Sequence, residues 1–316
     1  MKNQKKYKAA VIGCGKIGAE EWSYSADAKP ATHAASFLSH EKIELAGLCD
    51  KNYKKVKTAE KFFPGVSGYI SAEKMLGEIR PDIVSVATNP ETHFEFVKIA
   101  ADFGAKAIIC EKPMASSEKD AEEMIKYCKK KKCLLFINHS RHFDFLTLAW
   151  QKKVEKGILG KIMQANCLYH NGFFNNGTHA ADFLGMFLGE AEKISGIYNN
   201  FTTNPKKGKN IDAIIFYKNG ARAVLQSTPQ NSRLTEWSFY GEKSNLYFKE
   251  LGLEINYKNL KIGKKRSLMA QMASHVVLCL DGRQKPKSTG EDGMIALKIV
   301  LAAERSAKNN GKIVKI

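Results

Sequence analysis

The sequence predicts an α/β fold, with an N-terminal Rossmann doubly wound parallel sheet and a C-terminal α+β domain containing an open, largely antiparallel sheet. Two observations predict it. In the first 140 residues, short apolar runs alternate with helical patterns, which is typical of parallel βαβ units. From 191 to 257, strand patterns follow one another without helices, which is typical of antiparallel sheets. The change of pattern predicts two domains, the first over 1–140 and the second over 141–316.

The elements of the first domain follow from apolar runs and helix-capping signals. Ser117, followed by Glu118 and Asp120, is a favourable start for the last of its helices. The predicted strands cover 7–12, 43–49, 82–87, 107–111 and 134–138, and the predicted helices cover 52–63, 71–79, 91–103 and 117–131.

The second domain is predicted to begin with a helix over 142–156, a strand over 161–170 and a short helix over 178–188. Asn219-Gly220 indicates a hairpin within the strand region 191–257, because this dipeptide favours tight turns with positive φ. Two helices, over 268–281 and 291–309, are predicted to end the domain.

Bulk composition excludes several classes of protein. No apolar run approaches the roughly 18 residues that span a bilayer, and the basic start does not lead into a secretory signal. Seven scattered cysteines without a CxxC pair favour a reducing, cytoplasmic location and predict no metal site. The net charge of +18 is spread along the chain and accompanies no nucleic-acid-binding motif. We therefore expect no nucleic-acid or membrane partner, although a positive field favours anionic small molecules.

The first predicted strand runs directly into Gly13, Gly15 and Gly18, the GxGxxG fingerprint of dinucleotide binding. In that motif Gly13 makes the tight turn, Gly15 admits the pyrophosphate, and Gly18 lets the next helix pack on the strand. The N–H groups at the start of a helix directly after the fingerprint are expected to face the phosphates.

Asp50 ends the second predicted strand, where a carboxylate binds the ribose 2′-hydroxyl and disfavours a 2′-phosphate. This favours NAD over NADP, although Lys51, Lys54 and Lys55 could serve a 2′-phosphate if Asp50 turned aside. Asp50 follows Gly18 by 32 residues, against about 20 in the usual fingerprint. The excess lies in residues 19–30. Its Trp22 and Tyr24 could cap a substrate, or the segment could be a plain surface excursion.

Further motifs stand where the next strands end, and together they resemble one family. These are Thr88-Asn89-Pro90 with His93, then Glu111-Lys112-Pro113, Arg141-His142-Phe143, and a helix carrying His179 and Asp182. In this order, with the glycine fingerprint, they resemble the Gfo/Idh/MocA family, the relatives of glucose–fructose oxidoreductase and inositol dehydrogenase. The resemblance covers nearly the whole chain.

The resemblance implies an NAD- or NADP-dependent dehydrogenase or reductase acting on an alcohol carbon of a sugar or polyol. It implies that Lys112 lies at the substrate, where the positively charged nicotinamide lowers its pKa, and that His179 exchanges the hydroxyl proton. Many family members carry an aspartate where this chain has Asn175, which puts the usual proton relay in doubt. Expected substrate contacts are Trp22, Tyr24, Arg141, Asn175 and Asp182. Expected cofactor contacts are Gly13, Gly15, Lys16, Ile17, Gly18, Asp50, Thr88, Asn89, His93, Glu111 and Lys112.

The sequence therefore favours an oxidoreductase that transfers hydride to or from a sugar or sugar derivative, possibly nucleotide-linked. Two alternatives stay open: a reductase of a non-sugar substrate, and a non-catalytic dinucleotide-binding sensor on the same fold. The resemblance implies that the first domain, 1–140, binds the dinucleotide and that the second, 141–316, binds the substrate. Family members commonly pair through the second-domain sheet, which implies oligomerisation through this domain as a homodimer or homotetramer.

Overall fold

A computed structural model describes residues 6–26, 29–204, 208–229, 234–251, 254–255 and 267–316. The end of the predicted strand region, 256–257, and residues 27–28 of the expected insertion lie outside the described residues. By its internal packing the chain divides into two compact units, 1–144 with 266–294 and 145–265 with 295–316.

The first unit contains a six-stranded parallel sheet with the order β3-β2-β1-β4-β5-β6, which is the Rossmann strand order. The predicted fold class is confirmed. The strands are β1 (Tyr7–Ile12), β2 (Ile43–Cys49), β3 (Ser67–Tyr69), β4 (Ile83–Val86), β5 (Ala107–Cys110) and β6 (Leu134–Ile137). The helices that connect them are α1 (His33–Leu38), α2 (Tyr53–Phe62), α3 (Ala72–Ile79), α4 (Pro90–Asp102) and α5 (Glu118–Lys130).

In the register of this sheet, the last residues of neighbouring strands are paired with one another, so the carboxyl ends of the strands are aligned. Ile12 at the end of β1 pairs with Cys49 on one side and with Val86 on the other. Val86 pairs in turn with Cys110, and Cys110 with Ile137. The residue after each strand therefore lies at one edge of the sheet, where open α/β sheets bind ligands. Those residues are Gly13, Asp50, Ala87, Glu111 and Asn138.

Helix capping agrees with the sequence. The Ser117 side chain accepts from the Asp120 N–H, which satisfies an otherwise unpaired donor at the start of α5. Glu118 and Asp120 in the first turn, and Lys129 and Lys130 in the last, complement the helix dipole.

The second unit contains an eight-stranded sheet with the order β13-β12-β11-β7-β10-β9-β8-β14. Its pairs are antiparallel except β7 with β10, so the largely antiparallel sheet is confirmed. The predicted hairpin joins β9 to β10, with Gly220 at φ +87°. The strands are β7 (Ile162–Tyr169), β8 (Ala191–Asn204), β9 (Gly208–Tyr217), β10 (Arg222–Ser227), β11 (Leu234–Gly241), β12 (Asn245–Leu251), β13 (Glu254–Ile255) and β14 (Val314–Lys315). The remaining helices are α6 (Phe145–Glu155), α7 (Thr178–Leu188), α8 (Leu268–Leu280) and α9 (Gly290–Lys308).

One segment departs from the contiguous division at residue 140. Residues 266–294 belong to the first unit, although they follow the second-unit sheet in the chain. Met272 and Val276 of α8 are buried in the first unit's apolar core. The Ile137 N–H also donates to the Ser288 carbonyl at 2.7 Å, which attaches this segment to β6.

The state of the cysteines and the apolar character of the helices complete the description of the fold. All seven cysteines are buried, free thiols. Within the described ranges, no helix has both the length and the apolar character needed to cross a membrane.

Candidate active site

The glycine fingerprint forms a turn whose first and third glycines leave no room for a side chain. Gly13 has φ +103°, and its N–H donates to the Cys49 carbonyl at 2.7 Å. A Cβ on Gly13 would lie 2.4 Å from the Ala87 carbonyl oxygen, and one on Gly18 would lie 1.8 Å from the Gly13 oxygen. The end of β4 and the turn itself therefore require glycine at these positions.

Gly15 has a different environment. The nearest heavy atom to a Cβ built there is Lys55 Nζ, at 3.7 Å, and that atom ends a flexible, exposed side chain. The space over Gly15 is thus open, as close approach of a pyrophosphate requires. Together with Asp50 at the end of β2, this open space fits a dinucleotide cofactor.

The helix after the fingerprint is interrupted by an insertion, as the long spacing between Gly18 and Asp50 predicts. The Ala19 N–H donates to the Gly15 carbonyl, a short 3₁₀ helix covers Glu21–Ser23, and α1 begins at His33. The His33 N–H donates to Ile17 at 3.0 Å and the Ala34 N–H to Gly18 at 2.9 Å. These two bonds join the start of α1 to the end of the fingerprint in the way that successive turns of one helix are joined. The residues between them are therefore an insertion within a helix.

Buried Glu21 anchors this insertion. Its carboxylate accepts from the N–H groups of Ala31 and Thr32, at 3.0 and 2.9 Å. The ring of Trp22 packs 5.2 Å from that of Phe62 on α2, and Trp22 remains 40% exposed.

Tyr24 belongs to the same insertion but has different neighbours. Its ring lies 5.8 Å from Lys16 Nζ. Burial, followed by the carboxylates of Glu111, Glu21 and Glu20, raises the pKa of Tyr24 to about 12. The raised pKa favours the neutral phenol, and the negative charge of Glu111 contributes to it.

The Asp50 carboxylate is held in place by backbone donors. One oxygen accepts from the Cys14 N–H and the other from the Asn52 N–H, both at 2.9 Å. Each oxygen retains a second lone pair that can accept from a ribose hydroxyl. In this arrangement Asp50 has not turned aside.

Glu111 lies at the centre of a buried polar network at the end of β5. Its Oε1 accepts from Asn138 Nδ2 at 2.5 Å and from His33 Nε2 at 2.9 Å, and the Lys112 N–H contacts Oε2 at 3.3 Å. Burial raises the pKa of Glu111, but the His33 hydrogen bond, the charges of His33 and Lys112, and Asn138 outweigh it and lower the pKa to about 2. Glu111 is thus a buried, ionised carboxylate. Sequence reasoning missed His33 and Asn138 as its partners, because they lie 78 and 27 residues from Glu111.

The other predicted residues of this unit surround the same edge. Thr88 follows β4, and its hydroxyl accepts from Thr92 Oγ1 at 2.9 Å, while Asn89 precedes the first residue of α4. Lys112 is half-buried and joined to Pro113 by a cis peptide, and Arg141 lies in a short 3₁₀ helix after β6. His93 is buried, with both ring nitrogens against backbone carbonyls.

The second unit contains the other predicted residues. Asn175 lies in a π-helical turn, Gly172–Gly177, that continues directly into α7, and its Nδ2 donates to the Asn171 carbonyl at 3.3 Å. His179 and Asp182 follow on α7, where a spacing of three places them on one face. All three are half-buried. π-Turns within helices are found frequently at functional sites.

Comparison with known proteins agrees with this geometry. Residues 7–139 match the GFO_IDH_MocA family, described as an oxidoreductase family with an NAD-binding Rossmann fold. The matched residues span all six strands of the parallel sheet. It is 24% identical to the D-apiose dehydrogenase of Rhizobium rhizogenes over 71% of this chain, and the match spans 66% of that enzyme, just under two thirds. It is 21% identical to the myo-inositol 2-dehydrogenase of Thermotoga maritima over 96% of this chain and 97% of that enzyme.

The fold is also shared with solved dehydrogenase structures. The WlbA dehydrogenase of Bordetella pertussis, crystallised with NADH and UDP-GlcNAcA, superposes with a TM-score of 0.82 at 22% identity, covering 99% of both chains. At this identity the superposition establishes the fold. The match over 7–139 confirms the resemblance to the Gfo/Idh/MocA family and the NAD-binding character of that region, and the superposition confirms the predicted fold class.

Proposed function

We propose that this protein is an NAD-dependent dehydrogenase that transfers hydride between the nicotinamide and a secondary alcohol carbon of a sugar or sugar derivative. The observation that carries the proposal is that the carboxyl ends of the central strands of the parallel sheet lie side by side along one edge. It brings the glycine turn, Asp50 and Glu111-Lys112 together at the ligand-binding end of the strands. The dehydrogenase names of the relatives support the same chemistry.

Bound NAD supplies the acceptor for the hydride that leaves the carbinol carbon. Lys112 hydrogen-bonds the reacting oxygen and stabilises the negative charge that develops on it. His179 accepts the hydroxyl proton, a task suited to an imidazole near neutral pH. Asn175 is neutral and does not stabilise an imidazolium as a carboxylate does. Asp182 is the carboxylate on the His179 face of α7, and we assign it the orienting role, with Asn175 and Arg141 available to sugar hydroxyls.

The cofactor contacts follow from the same edge. We assign the pyrophosphate to the turn formed by Gly13, Gly15, Lys16, Ile17 and Gly18, and the adenosine ribose to Asp50. NAD is preferred over NADP because the Asp50 carboxylate repels a 2′-phosphate. We assign Thr88, Asn89 and Glu111 to the nicotinamide half.

For the substrate we favour a nucleotide-linked or acidic sugar over a free polyol. The net charge of +18 attracts anions, and the structurally similar WlbA was crystallised with an anionic UDP-sugar. A dinucleotide-binding sensor and a reductase of a non-sugar substrate are the competing functions, and turnover distinguishes the sensor from the enzymes.

Tyr24, and not Trp22, is the substrate contact that we assign to the insertion. Tyr24→Phe removes one hydroxyl donor and is expected to raise KM about 5- to 10-fold, the effect of one lost hydrogen bond, with the NADH Kd unchanged. Trp22→Ala is the matched control. Because Trp22 packs on Phe62, the Trp22→Ala substitution should lower the Tm of the protein and leave the KM for the substrate unchanged. Steady-state kinetics of the two variants in parallel test this, and equal effects on KM contradict it.

We further propose that two copies pair through the outer face of the second-unit sheet. Ile197 and Ile214 are 62% and 40% exposed there, and they border a groove of about 590 Å³ over β8, β9 and β10. Two copies would cover this apolar surface. Light scattering should give the mass of a dimer or tetramer, and Ile214→Asp should give a monomer. A monomeric wild type excludes the pairing.

The buried free thiols support a reducing compartment, and we propose the cytoplasm. Cell fractionation tests this placement.

The function is tested by following nicotinamide absorbance in purified protein, first with NAD and then with NADP. The panel comprises free sugars, inositols, sugar acids and UDP-sugars. We expect turnover with one class and higher kcat/KM with NAD. Tight NADH binding with no turnover across the panel, in either direction, supports the sensor. Absence of cofactor binding rejects both the dehydrogenase and the sensor.

A further inference from the structure

His93 joins the two loops that follow β4 and β5. The side chain is fully buried on α4. Its Nδ1 lies 3.1 Å from the Pro113 carbonyl oxygen, and its Nε2 lies 3.2 Å from the Thr88 carbonyl oxygen. Both polar atoms of the ring are therefore used within the protein, which leaves none for the cofactor contact expected from the sequence.

The chemistry of these partners restricts the ring. Both are carbonyls, which only accept, and a neutral imidazole has one N–H to donate. Burial lowers the pKa of His93, against the opposing effects of the Thr88 carbonyl, the Glu111 carboxylate and the Met114 and Pro113 carbonyls. Burial therefore favours the neutral ring, in which only one of the two carbonyls receives a proton.

The Pro113 carbonyl is the partner that depends more on this proton. The Thr88 loop has a further contact of its own, because Thr92 Oγ1 lies 2.9 Å from Thr88 Oγ1 and 3.0 Å from the Asn89 carbonyl oxygen. The contact to Pro113 is also the shorter of the two. On the other side of Lys112, Glu111 is already fixed by His33 and Asn138. A bond from His93 to Pro113 would fix the residue that follows Lys112, as His33 and Asn138 fix the residue that precedes it. The backbone of Lys112 would then be restrained at both of its neighbours.

We propose that His93 is a positioning residue for Lys112, acting through an Nδ1–H bond to the Pro113 carbonyl. The consequence for Lys112 in turnover rests on the function proposed above, whereas the bond itself does not. The geometry assigns His93 to the loop of the reactive lysine and away from the cofactor.

A matched pair of variants tests the proposal. His93→Gln keeps an amide donor, and His93→Met has similar length and no donor. The readout is the acetylation rate of Lys112 by N-hydroxysuccinimidyl acetate in the NADH-saturated protein, followed by peptide mass spectrometry. Lys106, at an exposed ion pair with Asp82, is the internal reference.

We expect His93→Met to change the Lys112 rate relative to Lys106 by about 3- to 10-fold, the effect of one lost hydrogen bond, and His93→Gln to restore it to within about twofold. The NADH Kd should change less than about twofold in both variants, because His93 makes no cofactor contact. An unchanged Lys112 rate in His93→Met, or equal rates in the two variants, overturns the proposal.

A measurement on the wild-type protein decides the matter if the methionine variant does not fold. In ¹⁵N-histidine-labelled protein, the signal lost in His93→Gln should come from a neutral ring protonated on Nδ1. A ring protonated only on Nε2 overturns the proposal. Lys112→Ala with full turnover rejects the function proposed for Lys112 and leaves the His93 bond standing.

Discussion

Lys112→Ala is expected to lower kcat by about 10²- to 10⁴-fold, the range for loss of a group that shares a proton with the reacting oxygen. The NADH Kd should change little, because the pyrophosphate and ribose contacts assigned to Gly15 and Asp50 remain. Steady-state kinetics with the best panel substrate and fluorescence titration of NADH measure the two effects.

Lys106→Ala is the matched control for this variant. Lys106 lies just before β5, and its ammonium pairs with Asp82 in an exposed ion pair, so its removal takes away a similar charge from the same unit. It should keep kcat within about twofold, since exposed ion pairs contribute little. A Lys112→Ala enzyme with control-like turnover would show that this lysine is not part of the chemistry.

The second large effect distinguishes two glycines of one motif. Gly15→Val should fold with an unchanged Tm, because its Cβ meets nothing closer than the movable Lys55 ammonium, 3.7 Å away. NADH affinity should nevertheless fall by about 100-fold or more, since the side chain occupies the space that a pyrophosphate needs.

Gly13→Ala should behave in the opposite way. Its Cβ meets the Ala87 carbonyl oxygen at 2.4 Å, and the residue has φ +103°, so the folded state is strained by about 1–3 kcal/mol or more. Differential scanning fluorimetry should show a Tm lowered by several degrees. Equal Tm values for the two variants would contradict the geometry of the turn.

Much of this fold could be predicted because its strongest signals are local. β1 and β2 occur over the predicted 7–12 and 43–49, since an apolar run meets a glycine turn in one case and a carboxylate in the other. α7 likewise covers the predicted 178–188. β3 was missed because Ser67-Gly68-Tyr69 is three residues long and has no apolar pattern.

The remaining features depend on contacts between distant residues. Nothing in the local sequence of His33 indicates a bond to Glu111, and nothing near α8 indicates that its methionines pack in the first unit's core. The same limit applies to the insertion. Its position was visible from the spacing of Gly18 and Asp50, but the separate environments of Trp22 and Tyr24 depend on Phe62 and Glu111.

The proposed function requires hydride to pass between a carbinol carbon of the substrate and the nicotinamide. It is tested most directly with the panel compound that the wild type turns over, deuterated at the oxidised carbon, by mass spectrometry of the reduced cofactor. We expect one deuterium in the nicotinamide ring for each turnover. Reduced cofactor without deuterium, or no reduced cofactor with any member of the panel, would contradict the account.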